Sequence, residues 1–432
     1  MKNLSVLFAF SILCTAPLCS QSLPTASANG GPQDFHSQRA VNPAVVNPLE
    51  ALEFTPLEFS TQDAPTSQTV SVALELGFEG ASFMPIDTQI KTRSRLQEDV
   101  LIAMINNGQP SRAYELSTQI MDWRRGSVFA ELALHRAKAG DVDNAEKLIE
   151  LAQEISTLTE DWRSETIQTK CAQASVIIGN SRASDGLELS VDSHLEGVVN
   201  QTQAELATDE DFDSQVAVLD GLVFTGNFDV HQNVVESYLI LHRKFYADAE
   251  RRTALEEKID RVISKFPANL YIKFTLKLAE TKAAEGDADS AMKSVEVAKA
   301  YLFQEGWEVH NQYPLIGKLV ETTHRIGQPE AALQLADAAW DSLIEQREDI
   351  ASMWLGQAYR PMAEAYAAIG KPARALNVLK LSFEDGIKNP NIRPRSTDFV
   401  ANCITLAELD FQGTEELLPL VQRIHHELDP AK

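Results

Sequence analysis

The sequence predicts an all-α protein: an open, right-handed α-α solenoid preceded by a mostly irregular N-terminal arm. Three observations predict it. Glycine followed five residues later by alanine recurs after helical stretches, at Gly108/Ala113, Gly140/Ala145, Gly286/Ala291, Gly327/Ala332 and Gly370/Ala375, and Gly179/Ser184 keeps a small residue in a sixth copy. Asp122-Trp123-Arg124 returns 39 residues later as Asp161-Trp162-Arg163, each tryptophan 17 residues before its glycine. The apolar spacing between these marks is helical, as in the stripe Ala145, Leu148, Ile149, Ala152 and Ile155.

Composition bounds the answer. The 432 residues are 44% apolar, enough to bury a core and to exclude wholesale disorder. Acids outnumber bases 62 to 38, a formal charge of −24 that repels phosphate backbones and anionic lipid, which argues against nucleic-acid binding and polybasic membrane anchoring. Four cysteines and nine histidines leave no material for a disulfide scaffold and little for a zinc cluster.

In chain order, residues 1–20 come first. Lys2, an apolar run from Leu4 to Leu13 and then Thr15, Ala16 and Pro17 have the form of a secretory signal, too short to span a bilayer. Cleavage after Ser20 or after Ala28 both suit the small-residue rule, and the first lies nearer the apolar run. Cys19 also opens a weaker lipoprotein reading, and an apolar N-terminus on a cytosolic protein is the alternative to export. The expectation is an exported protein, periplasmic or extracellular, with no transmembrane segment in the mature chain. Export would leave Cys171 and Cys403, both within helical apolar patterns and read as small buried hydrophobes rather than a bridge.

Residues 21–90 read as a proline-containing acidic arm, because no helical period survives between so many prolines. Leu52-Glu53-Phe54 recurs as Leu57-Glu58-Phe59, and Val70, Val72, Leu74, Leu76 and Phe78 alternate with the period of a strand over 69–78. These could dock on a partner or lie back on the protein's own body, and the second reading is preferred. Deleting 21–85 is then expected to leave the helical body nearly intact.

From residue 91 to 428 the repeat takes over. A glycine supplies the left-handed conformation that reverses the chain after a helix. Alanines recur seven residues before it (Ala133, Ala172, Ala279, Ala363) and seven after the second small residue (Ala152, Ala298, Ala339), where helices cross and a bulky side chain would hold the backbones apart. Asp141, Asp287, Pro329 and Pro372 suit the first turn of the following helix. Glycine intervals of 32, 39, 41 and 43 are unequal, which favours an open superhelix over a closed toroid of paired helices. Over 185–265 the spacing lengthens, and one or two degenerate helix pairs are expected there.

At these residues the sequence resembles the tetratricopeptide repeat family. The segments LALHRAKAGDVDNAEKLIELAQ and LAETKAAEGDADSAMKSVEVAKA match its helix–turn–helix pattern, MAEAYAAIGKPARALNVL adds its aromatic at Tyr366, and Phe266-Pro267 matches its closing pair. The Asp-Trp-Arg echo looks like the longer variants of exported bacterial repeat proteins. The period departs from the family's 34, and several copies lack the aromatic and the closing proline. The resemblance implies a binding scaffold whose first helices line a concave groove.

No phosphate-cradling glycine loop, three-glycine nucleotide fingerprint or nucleophile elbow occurs, so no catalytic activity and no cofactor are expected. His425-His426-Glu427 is the densest ligand cluster, but adjacent histidines diverge by about 100° on a helix, and it reads as a solvated helix end rather than a metal site. Six residues before the turn glycine stand Glu280, Glu321 and Glu364, with Gln173 in an earlier copy. The resemblance puts them on the groove with Lys273, His324, Gln357 and Arg360. Together they predict an acidic ladder for a basic or amine-bearing peptide. Two other classes stay open: a structural subunit of a cell-envelope assembly, and an enzyme on a toroid, which would need a pocket converging carboxylates or Trp307, Trp340 and Trp354.

Overall fold

A computed structural model describes Leu57 and residues 66–179, 194–225, 228–304 and 306–430. The expected leader and most of the 21–65 arm lie outside the described residues, and those described belong to one compact unit, 47–432. Regular structure among them is helical throughout. The helices are α1 (Gln68–Ser82), α2 (Ile86–Asn106), α3 (Pro110–Ser117), α4 (Arg124–Lys138), α5 (Val142–Thr157) and α6 (Asp161–Ile177). Next come α7 (His194–Leu206), α8 (Phe212–Thr225), α9 (Phe228–Lys244), α10 (Ala249–Ile263), α11 (Ala268–Ala284) and α12 (Ala288–Gln304). The last are α13 (Val309–Arg325), α14 (Pro329–Gln346), α15 (Ser352–Ala368), α16 (Pro372–Gly386), α17 (Ile392–Leu409) and α18 (Leu418–Leu428). None of them is long and apolar enough to cross a membrane.

The repeat marks behave as their chemistry requires. Gly108, Gly140, Gly179, Gly286, Gly327 and Gly370 all adopt positive φ, between 71° and 86°. After five of them the next residue's N–H reaches back to the last helical turn, as Asp141 to the Arg136 carbonyl and Lys371 to that of Tyr366. Pro329 and Pro372 open α14 and α16, where a missing N–H costs nothing. Ala113, Ala145, Ala291, Ala332 and Ala375 are fully buried, as are Ala133, Ala279 and Ala363. The irregular stretch 194–263 holds two helix pairs, α7–α8 and α9–α10.

Packing sorts the helices into two rows. The first helix of each pair touches the first helix of the next, in the succession α2, α4, α6, α7, α9, α11, α13, α15, α17. The second helices pack between the first-row helices they connect. We call the succession the inner row. It does not stop at α17, which packs against α2 and, more extensively, against α1, while α1 also packs on α18.

Two expectations are corrected here. The array is not open, because its first and last helices join and the inner row returns to its start. Unequal repeats can still close when a separate element makes the joint, and α1 is that element. The strand expected over 69–78 is helix α1, and the body therefore begins at Gln68 instead of residue 91. The residues between the alternating apolar ones decide it: Ala73, Gly77 and Ala81 are buried with Val70, Leu74 and Phe78, a helical stripe that the alternation concealed. Ser67 caps α1 by accepting the Val70 N–H at 3.2 Å and donates its hydroxyl to Asp410 at 2.6 Å. Deleting 21–85 would therefore remove core.

Three apolar clusters follow the circuit. One spans α1–α6 and takes in Val400 and Ala407 of α17, with Leu57 packed on its edge. Another joins α7–α11, and the third runs from α11 to α18 and includes Ala73 of α1. Cys171 and Cys403 are buried free thiols in different clusters, and burial pushes the Cys171 thiol up to about 12.

Candidate functional site

Three inner helices carry a lysine at the same repeat position, which is held by Asp99 before Gly108 and by Glu131 before Gly140. Lys170, Lys277 and Lys318 each stand nine residues before a turn glycine. Each reaches a carboxylate on the preceding inner helix. Lys170 meets Glu131 at 2.9 Å, Lys277 pairs with Glu236, and Lys318 meets Glu280 at 2.7 Å. A threonine supports the last of these pairs, the Thr322 hydroxyl donating to Glu280 at 3.0 Å.

The same position on α15 is Pro361. On α17, aligned so that Thr405 donates to Glu364 as Thr322 does to Glu280, it is Ala401. Two successive junctions therefore lack the cross-helix lysine. Glu321 is compensated within its own helix by Lys318 at 3.2 Å and by Arg325. Glu364 and Glu408 form no ion pair with Lys or Arg among the described residues.

These acids converge on a cavity of about 640 Å³ between α13, α15 and α17. Glu321, Glu364 and Glu408 line it with Lys318, and Pro314, Ala365, Leu409 and Phe411 give it an apolar flank. At its wall α13 and α15 approach so closely that a Cβ on Gly317 would lie 2.8 Å from the Pro361 carbonyl oxygen. Loss of hydration pushes the Glu364 carboxyl up to about 7, helped by Glu408 and, more weakly, Glu321, while Arg360 and the Thr405 hydroxyl oppose the shift. Glu364 is itself an exposed residue, so protein crowded around an open concavity, and not enclosure, weakens the hydration of its carboxyl. Glu408 is raised by the same loss of hydration.

The structure separates the seven ladder residues. Glu280, Glu321 and Glu364 do occupy one face of the inner row, but Lys318 and Arg325 neutralise the first two. Arg360 meets Asp398 at 3.2 Å and the Asn402 side chain at 3.3 Å, which ties α15 to α17 and leaves only 13% of its side chain exposed. Lys273 is exposed over the Phe274 ring, and Gln357 and His324 are half-buried; none of the three lines the cavity. Sequence reasoning missed Glu408 and Phe411. The signal for this cavity was available as the run Lys277, Lys318, Pro361 at one repeat position.

The remaining candidates resolve individually. His425 is no solvated helix end: it lies between Phe83 and Phe399, 3.0 Å from Glu79, and joins α18 to α1. Among the described residues no group of three or more His, Cys, Asp or Glu side chains is arranged to hold a metal ion. The tryptophans named for a toroidal active site do not meet. Trp307 donates to the Leu302 carbonyl at 2.8 Å, Trp340 packs near Tyr359, and Trp354 stacks on His310 at 4.0 Å. The echoed Trp123 and Trp162 do meet, edge to face at 5.3 Å.

The fold and site together define a ring of helical hairpins with an under-neutralised acidic cavity on its inner row. No protein-family model matches the chain, and no curated protein matches it.

Proposed function

We propose that this chain is an exported protein-binding scaffold of tetratricopeptide-like hairpins, and that Glu364 and Glu408 receive a lysine or arginine side chain of a polypeptide partner. The observation that carries the reading is the absent lysine. Where three inner junctions supply a cation from the next helix, the α13–α15 and α15–α17 junctions offer Pro361 and Ala401. A partner's cation would fill the charge position that the repeat leaves empty, and its aliphatic stem would lie along Leu409, Phe411 and Pro314. Export rests on the Lys2-to-Pro17 leader pattern, and the hairpin type on the glycine–alanine spacing.

Titration of a fluorescent lysine-rich peptide at pH 8, with a glutamate-rich peptide of equal length as control, tests the reading. Selective binding that weakens with salt is expected, and Glu364→Gln with Glu408→Gln should reduce it about tenfold, the equivalent of ~1.4 kcal/mol. Equal binding by parent and double variant would refute it.

One observation favours a second reading. A carboxyl near neutrality beside another carboxylate is also what general acid–base catalysis uses. In that case Glu364→Gln would abolish turnover of a neutral substrate while leaving its binding intact.

A further inference from the structure

The inner row holds a second cavity, of about 340 Å³, where α9, α11 and the end of α13 meet. Its charge is opposite to that of the first. Arg243, Lys277 and Arg325 line it against two carboxylates, Glu236 and Glu280. Both carboxylates are already met: Glu236 by Lys277, and Glu280 by Lys318 at 2.7 Å as well as by Arg325 at 3.3 Å. Arg243 is the surplus cation. Its guanidinium has neither an ion pair nor a hydrogen bond among the described residues.

Spacing makes this a repeat position and not a stray side chain. Ala284 follows Arg243 by 41 residues and precedes Arg325 by 41, the interval that also separates Gly286 from Gly327. All three fall in the last turns of their helices, α9, α11 and α13. Two guanidinium groups therefore flank an alanine, whose short side chain leaves the space between them open, and Leu239 and Ile240 supply an apolar wall. Guanidinium groups so placed suit a carboxylate, which accepts paired hydrogen bonds from their planar forks, and the wall suits the methylene stem behind it. A formal charge of −24 on the whole chain disfavours a polyanion, so a single carboxylate is the match.

We propose that this cavity receives an aspartate or glutamate side chain of the same polypeptide whose lysine or arginine enters between α13, α15 and α17, so that the inner row reads opposite charges at a set separation. The pairing with a basic residue rests on the function proposed above, whereas the carboxylate site rests on Arg243 and its neighbours. The first cavity takes in Ala368 and Leu409 from the last turns of α15 and α17, so the two cavities lie at one level of the row. One is centred on α11 and the other on α15, two helix steps away. Packed helices lie about 8–10 Å apart, which sets the two charges about 20 Å from each other. An extended chain covers that distance in about six residues.

The test titrates the full-length chain at pH 8 and low salt with short fluorescent peptides that carry one lysine and are otherwise uncharged except for a glutamate. The glutamate stands about six residues before the lysine, about six after it, or directly beside it, and in control peptides it is glutamine. In one of the two wide orders glutamate should bind about tenfold more tightly than glutamine, and the adjacent placement should show no such gain. Arg243→Gln should abolish the gain. Arg243 is exposed and unpaired, so this variant is expected to fold, which its helical circular dichroism checks. Equal binding of glutamate and glutamine peptides by the parent in both wide orders, or a gain that survives in Arg243→Gln, would overturn the proposal. If the lysine reading fails instead, replacing the lysine with glutamine leaves the affinity unchanged while the effect of Arg243→Gln persists, which supports the carboxylate site alone.

Discussion

At three junctions between α4 and α13 the inner row neutralises itself. Glu131, Glu236 and Glu280 are each met by a lysine from the next inner helix. Between α13 and the α17–α1 joint the scheme lapses. Pro361 and Ala401 replace the lysine and Glu364 and Glu408 crowd one cavity, while the Arg360–Asp398 pair and close approaches at Gly317, Gly77 and Gly80 hold the helices together. Both regions use the same turn glycines and crossing alanines, so the difference is not one of fold. It shows that a repeat's packing positions and its charge positions can vary independently, and that a lapse in the second marks where an outside charge can enter.

The largest expected effect breaks the second region at its joint. Gly80→Ala pushes a Cβ into the buried Phe399 ring and should cost about 1–3 kcal/mol in urea unfolding, more than a typical surface change. A midpoint equal to the parent's would mean that α1 and α17 do not pack as described.

A second effect separates the regions by pH. The Glu364 carboxyl is raised in the folded state, so the native chain holds that proton more tightly than the unfolded chain does. The stabilisation from this group is therefore complete below the ordinary glutamate range and is lost as pH rises towards about 7. Glu364→Gln should melt above the parent at pH 8, with the gap closing as pH falls towards about 5. Binding of a lysine-rich peptide should follow the opposite course and weaken as pH drops below about 7, because protonation removes the charge that attracts it. A gap that is constant with pH would contradict the assignment.

The smallest effect lies in the first region. Lys318→Ala leaves Glu280 with Arg325 and Thr322 alone, and for a partly exposed pair the cost should be about 0.2–1 kcal/mol by denaturant midpoint. A loss of several kcal/mol would indicate that the paired stretch depends on its charges more than its packing suggests.

Much of the fold could be read from the sequence, because its determinants are local. A glycine that must take positive φ and an alanine at a helix crossing announce themselves at fixed spacing, and Gly140 with Ala145 does both jobs within six residues. Closure could not be read this way. It depends on Gly77 and Gly80 meeting Cys403 and Phe399 from the opposite end of the chain, and no periodicity reports such a meeting. Helix α1 was hidden for a related reason: Val70, Val72, Leu74, Leu76 and Phe78 alternate, and only the face of α17 makes the intervening small residues the informative ones. The site was half legible. Counting back from each glycine finds Glu280, Glu321 and Glu364, but which of them is unpaired follows from residues on neighbouring helices.

If the cavity takes a partner's cation because none is supplied from α17, a lysine placed there should occupy the site in the partner's stead. Ala401→Lys places a lysine on α17 where Lys318 stands on α13, within the reach that Lys318 has to its own glutamate. Calorimetric titration of a lysine-rich peptide at pH 8 into Ala401→Lys and Ala401→Gln is the measurement. The glutamine variant should bind as the parent does, and the lysine variant should no longer bind. Undiminished binding by Ala401→Lys would contradict it.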